Sequence, residues 1–173
     1  MDALGVPYRA VAPEVDEEVP NGTTPQEAVA MLAERKARAV LARFSDALVI
    51  GSDQLVSLSG HALGKPANAM EALSQLQALR GRSHEICTAV CVLSATGCTT
   101  EVDIARLTVF PLSDDELRAY VATHEWQGCA GGYRIEARGQ ALFERIEGDR
   151  VAIQGLPMQR VVRLLRAAGV RLF

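Results

Sequence analysis

The hydrophobic positions between Thr24 and Phe44 recur at intervals of three and four residues, which predicts an amphipathic helix. The apolar stripe consists of Val29, Leu32, Ala33, Ala37, Val40 and Phe44. Thr24 is followed three residues later by Glu27, a pattern in which the two side chains cap a helix N-terminus reciprocally. Pro25 stands at the first helical position, where its missing N–H removes no hydrogen bond. We therefore expect a helix from Thr24 to about Phe44 whose stripe faces the core.

Similar signals predict three more helices. Asn68 and Ser113 each precede a glutamate by three residues, so both are expected to be N-caps. Gly81 suits the left-handed turn that ends many helices. The expected helices run from Asn68 to about Arg80, onward from Ser113, and from near Pro157 to just before Gly169.

Apolar runs between the helices predict strands at Ala47–Gly51, Glu85–Leu93 and Ala141–Ile146. The run LVIG in the first of these has no polar alternation, which is typical of a strand that helices cover on both faces, so we expect residues 47–51 to be central. The alternation of helices and strands predicts an α/β fold with a mixed, twisted sheet flanked by helices. A chain of 173 residues suits a single domain over residues 1–173.

Charge and hydropathy narrow the classes of function. The net charge of −3 and the absence of a basic run argue against binding to a nucleic-acid polymer, although a free nucleotide remains a possible ligand. No apolar stretch approaches the roughly 18 to 20 residues of a membrane span, and the N-terminus lacks the layout of a signal peptide. We expect no membrane partner and a cytoplasmic location.

The four cysteines do not have the two-residue spacing of a zinc ribbon or finger. Cys87 and Cys91 lie in the apolar run ICTAVCVL, where a free cysteine behaves as a small core residue. We therefore expect these two thiols to be reduced and buried.

Three charged residues are candidates for a phosphate or metal site. Lys36 falls within the apolar stripe of the first helix, so its stem could pack on the core with the ammonium in water, or the ammonium could point into an anion site. Asp53 follows the expected central strand by two residues, where open α/β sheets bind ligands, although an aspartate can also simply stabilise a turn. Lys65 follows the glycine-flanked turn in GHALGKP, and exposure on a hairpin tip is the alternative.

Two further motifs carry charged side chains. The acids of VDEE, residues 16–18, form either a solvated loop or, beside lysines, a group that could hold Mg²⁺. Arg82 and His84 follow a helix end in GRSHE. For His84 a structural role, with a hydrogen bond to the backbone, is favoured over that of a catalytic base.

Taken in order, eight short motifs resemble those of the Maf-like nucleoside triphosphate pyrophosphatases over nearly the whole chain. They are VDEE, ERKA, VIGSDQ, LGKP, GRSHE, CAGGYRIE, LFERIEGD and GLP. GSDQ together with CAGGYRIE resembles the branch that acts on 7-methyl-GTP more closely than the branch that acts on dTTP and UTP. The resemblance implies hydrolysis of a nucleoside triphosphate to a monophosphate and pyrophosphate, an elongated fold with a cleft between two lobes, Mg²⁺ dependence and often a homodimer.

The same resemblance assigns roles to individual residues. Asp53 matches the proposed proton acceptor of the family and Lys36 its first phosphate-binding lysine, while Lys65 matches the second. Glu17 matches an acid of the site, and a metal ion is expected at Asp53 and Glu17. Three matched positions concern the substrate, with Gln54 and Glu136 linked to base selection and Arg82 to a site arginine. Ala137 stands where the family usually has glycine.

The N-terminal motif of the family is not found in this sequence. Family members open with a strand and a Ser-x-Ser-Pro-x-Arg-Arg loop that cradles phosphate, and the sequence begins after that point. LGVP at residues 4–7 carries the signals of a helix end, with Gly just past it and Pro beyond. We therefore expect a Maf-like domain without its first strand and phosphate loop. The alternatives are a protein with little turnover that binds nucleotide or acts in septum formation, and a pyrophosphatase for deaminated purines.

Overall fold

The computed structural model describes residues 1–173 apart from the side chain of Ala3. Within the described residues, five strands form one sheet and four α-helices pack on its two faces. The helices are α1 Pro25–Leu41, α2 Ala69–Leu79, α3 Asp114–Val121 and α4 Met158–Ala167. The strands are β1 Val49–Leu58, β2 His61–Leu63, β3 Ser83–Ser94, β4 Gly97–Val109 and β5 Phe143–Glu147, in the spatial order β2-β1-β3-β4-β5.

All four predicted helices are confirmed, and side-chain caps mark the beginning of α1, α2 and α3. Thr24 Oγ1 accepts a hydrogen bond from the Glu27 N–H (3.3 Å), and the Glu27 carboxylate accepts one from the Thr24 N–H (2.9 Å). Ser113 and its glutamate repeat this reciprocal cap at α3. Asn68 caps α2 in one direction only. The helix α1 ends at Leu41, three residues before the predicted end, where the chain enters a turn.

The α/β class is confirmed, but the details of the sheet differ from the prediction. Every described strand pair is antiparallel, and two of the four pairs, β1–β2 and β3–β4, are hairpins with short connections. The strand β1, which begins at Val49 within the run LVIG, lies beside the short β2, and β3 is the central strand. Within this run, Val49 packs against α1 on one face and Ile50 packs against the cluster around α4 on the other, whereas Leu48 precedes the strand and is exposed.

Two strands also have bounds that the sequence pattern did not indicate. The 13-residue strand β4 was not predicted, since its first half is exposed or half-buried and carries Glu101 and Asp103. The strand β1 continues to Leu58, so Asp53 lies within the strand, paired with Ala89 of β3, and not in a loop after it.

Hydrophobic residues pack on both faces of the sheet. On one face α1 contacts β1 and β3 around Cys87 and Cys91, which are fully buried as predicted. On the other face α2 and α3 cover one end of the sheet and α4 covers the other. None of the helices in the described chain combines the length and apolar character needed to cross a membrane.

Candidate active site

Lys36 joins two acids that are far apart in the chain. Its ammonium lies 2.8 Å from Glu17 Oε1 and donates a hydrogen bond to Asp53 Oδ1. The side chain of Asp53 is 10% exposed, that of Lys36 is 20% exposed and that of Glu17 is 64% exposed. The three groups therefore form a line from the interior to the surface, with Lys36 in contact with both acids.

Gly51 allows the helix that carries Lys36 to lie close to the strand that carries Asp53. A Cβ on Gly51 would lie 2.9 Å from the backbone nitrogen of Ala37 and closer still to the carbonyl oxygen of Ala33. Only glycine permits such an approach between a helix and a strand. Asp53 is two residues further along β1 and points to the same face as Gly51, so it meets Lys36 in the adjacent turn of α1.

The β1–β2 hairpin brings Lys65 to the same place. Ser59 and Gly60 form its two-residue turn, with φ values of 53° and 83°, and this turn fixes the register that pairs Val56 with Leu63. Lys65 follows the end of β2 by two residues and lines one cavity together with Gln54. Lys65 is exposed, as the alternative reading expected, yet it lines the same cavity as Asp53 and lowers the pKa values of nearby acids.

Burial and pairing move the pKa values of the three-residue cluster in different directions. Burial raises the pKa of Asp53 above its usual value, and the hydrogen bond and charge of Lys36 offset only part of this effect. The hydrogen bond from Lys36 lowers the pKa of the exposed Glu17. Burial alone would lower the pKa of Lys36, but its two acidic partners outweigh it and raise that pKa. At neutral pH the cluster therefore holds a fixed ammonium beside a carboxylate that takes up protons more readily than usual.

A cavity of about 370 Å³ opens beside the cluster. Asp53, Gln54, Lys65 and Glu136 all line it, so four of the predicted site residues share one opening. Its remaining walls come from the segments 128–136 and 153–155 and from apolar side chains of β1 and β3. This volume lies at the lower end of the range that is usual for ligand sites.

The amide of Gln54 is held in one orientation. Its Nε2 lies 2.7 Å from Thr88 Oγ1, 3.0 Å from the carbonyl oxygen of Ala152 and 3.1 Å from that of Ile153. Carbonyl oxygens can only accept, so the NH₂ group must face them and Oε1 must face away. Gln54 Oε1 accepts no hydrogen bond from any residue that the structure describes. The cavity is thus presented with an acceptor.

Glu136 contributes a second acceptor to the cavity wall. Its side chain is 53% exposed, and the nearest described cation is Arg134, whose Nε lies 3.6 Å from Glu136 Oε1. Ala137, which follows it, has a φ of −126°, so this position needs no glycine. The carboxylate can therefore turn towards a ligand at little cost.

The prediction that Arg82 belongs to the site is corrected by the structure. Arg82 is not among the residues that line this cavity. Arg82 donates to Ser59 Oγ (3.1 Å) and to the carbonyl oxygen of Ala78 (3.3 Å). The start of β3 pairs with the end of β1, so Arg82 lies beside the hairpin turn. From Asp53 to the turn at Ser59 the strand advances by six residues, a distance of about 20 Å.

His84 has the structural role that the sequence favoured, although its partner is a side chain and not the backbone. Its Nε2 lies 2.7 Å from the hydroxyl of Tyr133, and the ring packs against Tyr133 and Phe143. Burial lowers the pKa of His84 from 6.5 to about 4. A neutral, enclosed imidazole of this kind does not serve as a base at the cavity.

Several residues of the cavity were not predicted. Ser52 Oγ lies 2.8 Å from the carbonyl oxygen of Gly155 and so ties the segment 153–155 to β1. Tyr133 and Cys129 reach the cavity because the chain turns sharply at Gly131 and Gly132, which have φ values of 75° and 74°. The glycine pair in CAGG was the available signal for this turn.

The carboxylates of Asp53 and Glu17 suit a metal ion that takes most of its ligands from a bound substrate and from water. In the described part of the chain, no group of three or more His, Cys, Asp or Glu side chains is arranged to hold a metal ion. Asp53 and Glu17 nevertheless bracket Lys36 with two carboxylates. Mg²⁺ commonly binds one or two carboxylates and takes its other ligands from phosphates and water, so these residues fit Mg²⁺ better than a metal that needs a protein cage.

Comparisons with known proteins agree with one another on the family and differ on the substrate. A family model described as "Maf-like protein" matches residues 1–168. A 7-methyl-GTP pyrophosphatase of Albidiferax ferrireducens is 42% identical over 97% of this chain and 86% of the relative. A dTTP/UTP pyrophosphatase of Pelotomaculum thermopropionicum is 41% identical over 96% of this chain and 88% of the relative. One of Bacillus velezensis, with the same name, is 37% identical over 99% of this chain and 90% of the relative.

Proposed function

The chain belongs to the Maf family of nucleoside triphosphate pyrophosphatases, hydrolases that act on anhydride bonds, and on this basis we propose that it hydrolyses guanosine triphosphates, preferably 7-methylated, to the monophosphate and pyrophosphate. In this proposal the triphosphate lies at Asp53, Lys36, Lys65 and Glu17, and the base lies against Gln54 and Glu136. The single observation that carries the choice of base is the fixed orientation of the Gln54 amide.

The charged cluster suits attack of water on the α-phosphorus. The water forms a bond to phosphorus, the bond from the α-phosphorus to the bridging oxygen breaks, and its electron pair leaves with pyrophosphate. Asp53 accepts the proton of the water, for which its raised pKa is favourable, and Lys36 leaves Oδ2 of Asp53 available for this purpose. The two lysines offset charge on the departing pyrophosphate. Mg²⁺ held by Asp53, Glu17 and the phosphates would neutralise further negative charge.

The base end of the cavity favours guanine over uracil and thymine. Gln54 Oε1 and the carboxylate of Glu136 are both acceptors, so they pair best with adjacent donors. Guanine offers such donors at N1–H and N2–H₂. Uracil and thymine offer one N–H between two carbonyl oxygens, which acceptors repel. A 7-methylated ring also carries positive charge, which the carboxylate of Glu136 attracts.

The relatives named dTTP/UTP pyrophosphatases support a second candidate substrate class. A pyrimidine base would require Gln54 to present its NH₂ group to the cavity. That rotation would point Oε1 at the carbonyl oxygens of Ala152 and Ile153, where two acceptors would face each other. The fixed amide therefore counts against this candidate.

The test compares kcat/KM for 7-methyl-GTP, GTP, dTTP and UTP, measured as pyrophosphate release with Mg²⁺. We expect the wild-type protein to prefer the guanosine nucleotides. We expect Glu136→Gln to reduce the preference for 7-methyl-GTP over GTP about fivefold, equivalent to about 1 kcal/mol for a half-exposed charge. Glu144→Gln, an exposed strand residue outside the cavity, is the matched control. An unchanged ratio in Glu136→Gln would reject its role, and a preference for dTTP or UTP would reject the choice of base.

A further inference from the structure

Glu17 reaches Lys36 from a segment that has no regular structure of its own. Residues 6–20 form neither helix nor strand, and Glu17 is largely exposed. Such a segment samples many conformations unless other groups hold it. A carboxylate that must meet Lys36 at a fixed point therefore needs external support.

Arg35 provides contacts on both sides of Glu17. Its Nη1 donates to the carbonyl oxygen of Glu18 (2.9 Å) and to that of Asp16. The two hydrogens of one guanidinium nitrogen can serve two acceptors at once. In addition, the Asp16 carboxylate accepts a hydrogen bond from the Glu18 N–H (2.9 Å), which closes a tight turn with Glu17 at its tip.

We propose that Arg35 is a positioning residue that clamps the turn of residues 16–18 onto α1 and thereby holds the Glu17 carboxylate at Lys36. Arg35 and Lys36 are adjacent on the helix, so a single turn of α1 fixes both the ammonium and the segment that brings its outer acid. Arg35 itself touches backbone oxygens of this segment and acts on the site through Glu17. This inference rests on the proposed function only in so far as Glu17 serves catalysis.

Arg38 offers a matched control on the same helix. It is an exposed arginine whose described partner is Glu34, one turn earlier, and neither residue makes a described hydrogen bond or ion pair with the segment 16–18. Methionine and arginine have similar helix propensities, so replacement at either position leaves α1 itself largely unaffected. Arg35→Lys keeps the charge and the donors but not the planar fork, and it should restore part of the function.

The first measurement does not depend on activity. Backbone ¹⁵N relaxation should show the order parameters of residues 15–19 falling from about 0.85 to about 0.6 in Arg35→Met, with an intermediate value in Arg35→Lys and no change in Arg38→Met. Unchanged order parameters in Arg35→Met would overturn the proposal. Far-UV circular dichroism of each variant confirms that α1 remains folded.

The second measurement couples Arg35 to Glu17. Arg35→Met should lower kcat for pyrophosphate release about tenfold, and in a Glu17→Gln background the same change should have less than a twofold effect. A full tenfold effect in that background would mean that Arg35 acts elsewhere, which overturns the proposal. If Glu17→Gln leaves hydrolysis of every nucleotide intact while the order parameters fall as expected, the clamp stands and the catalytic role of Glu17 fails.

Discussion

Replacing Gly51 with alanine should move Lys36, on α1, away from Asp53, on β1. The added Cβ would lie 2.9 Å from Ala37 N and closer to the carbonyl oxygen of Ala33, whereas ordinary contact begins at 3.4 Å. The obstacle is helix backbone, which cannot rotate away as a side chain does. Relief therefore requires α1 to move from β1 by about 1 Å, which carries Lys36 away from Asp53.

The expected losses of unfolding free energy and of kcat both follow from this displacement. Overpacking of a close helix–strand contact costs about 1 to 3 kcal/mol of unfolding free energy. A displacement of about 1 Å in catalytic groups lowers kcat on the order of 100-fold. The assays are the midpoint of urea unfolding and kcat for pyrophosphate release. The control is Gly97→Ala, in the β3–β4 hairpin, where the added Cβ meets no described atom within 4 Å. A Gly51→Ala protein with normal stability and normal kcat would refute the reasoning.

Three other substitutions have defined outcomes. Lys36→Met should lower the free energy of unfolding by about 3 kcal/mol at pH 7, because it leaves the nearly buried Asp53 carboxylate unpaired. Urea unfolding should show this loss become smaller as the pH falls and Asp53 takes up a proton. Lys65→Met removes a charge that lowers the pKa of Asp53, so the acid limb of the kcat/KM profile should move to higher pH, whereas it should stay in place in Lys65→Arg. The pKa of His84 is about 4 in the folded protein and 6.5 in the unfolded protein. The contribution of His84 to the free energy of unfolding is therefore fully present above pH 6.5, and about 3 kcal/mol is lost as the pH falls from 6.5 to 4. His84→Phe should flatten this fall in urea titrations between pH 6.5 and 4, and an unchanged slope would show that another group is responsible.

The helices and several site residues could be predicted because their signals are local. A reciprocal cap such as Thr24 with Glu27 depends only on residues three apart, and the structure has it. The apolar stripe of α1 placed Lys36 at the edge of the core in the same way. Local signals of this kind survive folding because the groups that interact are already neighbours in the chain.

The features that the sequence did not reveal depend on contacts between distant segments. Asp53 has polar neighbours that suggest a loop, but pairing with β3 keeps Ser52, Asp53 and Gln54 in the strand. The register of the β1–β2 hairpin decides that Lys65 reaches the cavity. Antiparallel pairing of β1 with β3 decides that Arg82 does not. Arg35 supports Glu17 through hydrogen bonds to the backbone oxygens of Asp16 and Glu18, which precede it by 19 and 17 positions. Every residue has a backbone oxygen, so the sequence does not indicate which ones Arg35 contacts.

The most direct test of the site is the reaction of the Asp53→Asn protein. Pyrophosphate and nucleoside monophosphate are measured together from 7-methyl-GTP with Mg²⁺, alongside nucleotide binding. We predict that the wild-type protein forms the two products in equal amounts, and that Asp53→Asn lowers kcat on the order of 1,000-fold while nucleotide still binds. Hydrolysis by Asp53→Asn within a few-fold of wild type, or release of inorganic phosphate with a nucleoside diphosphate, would contradict the account.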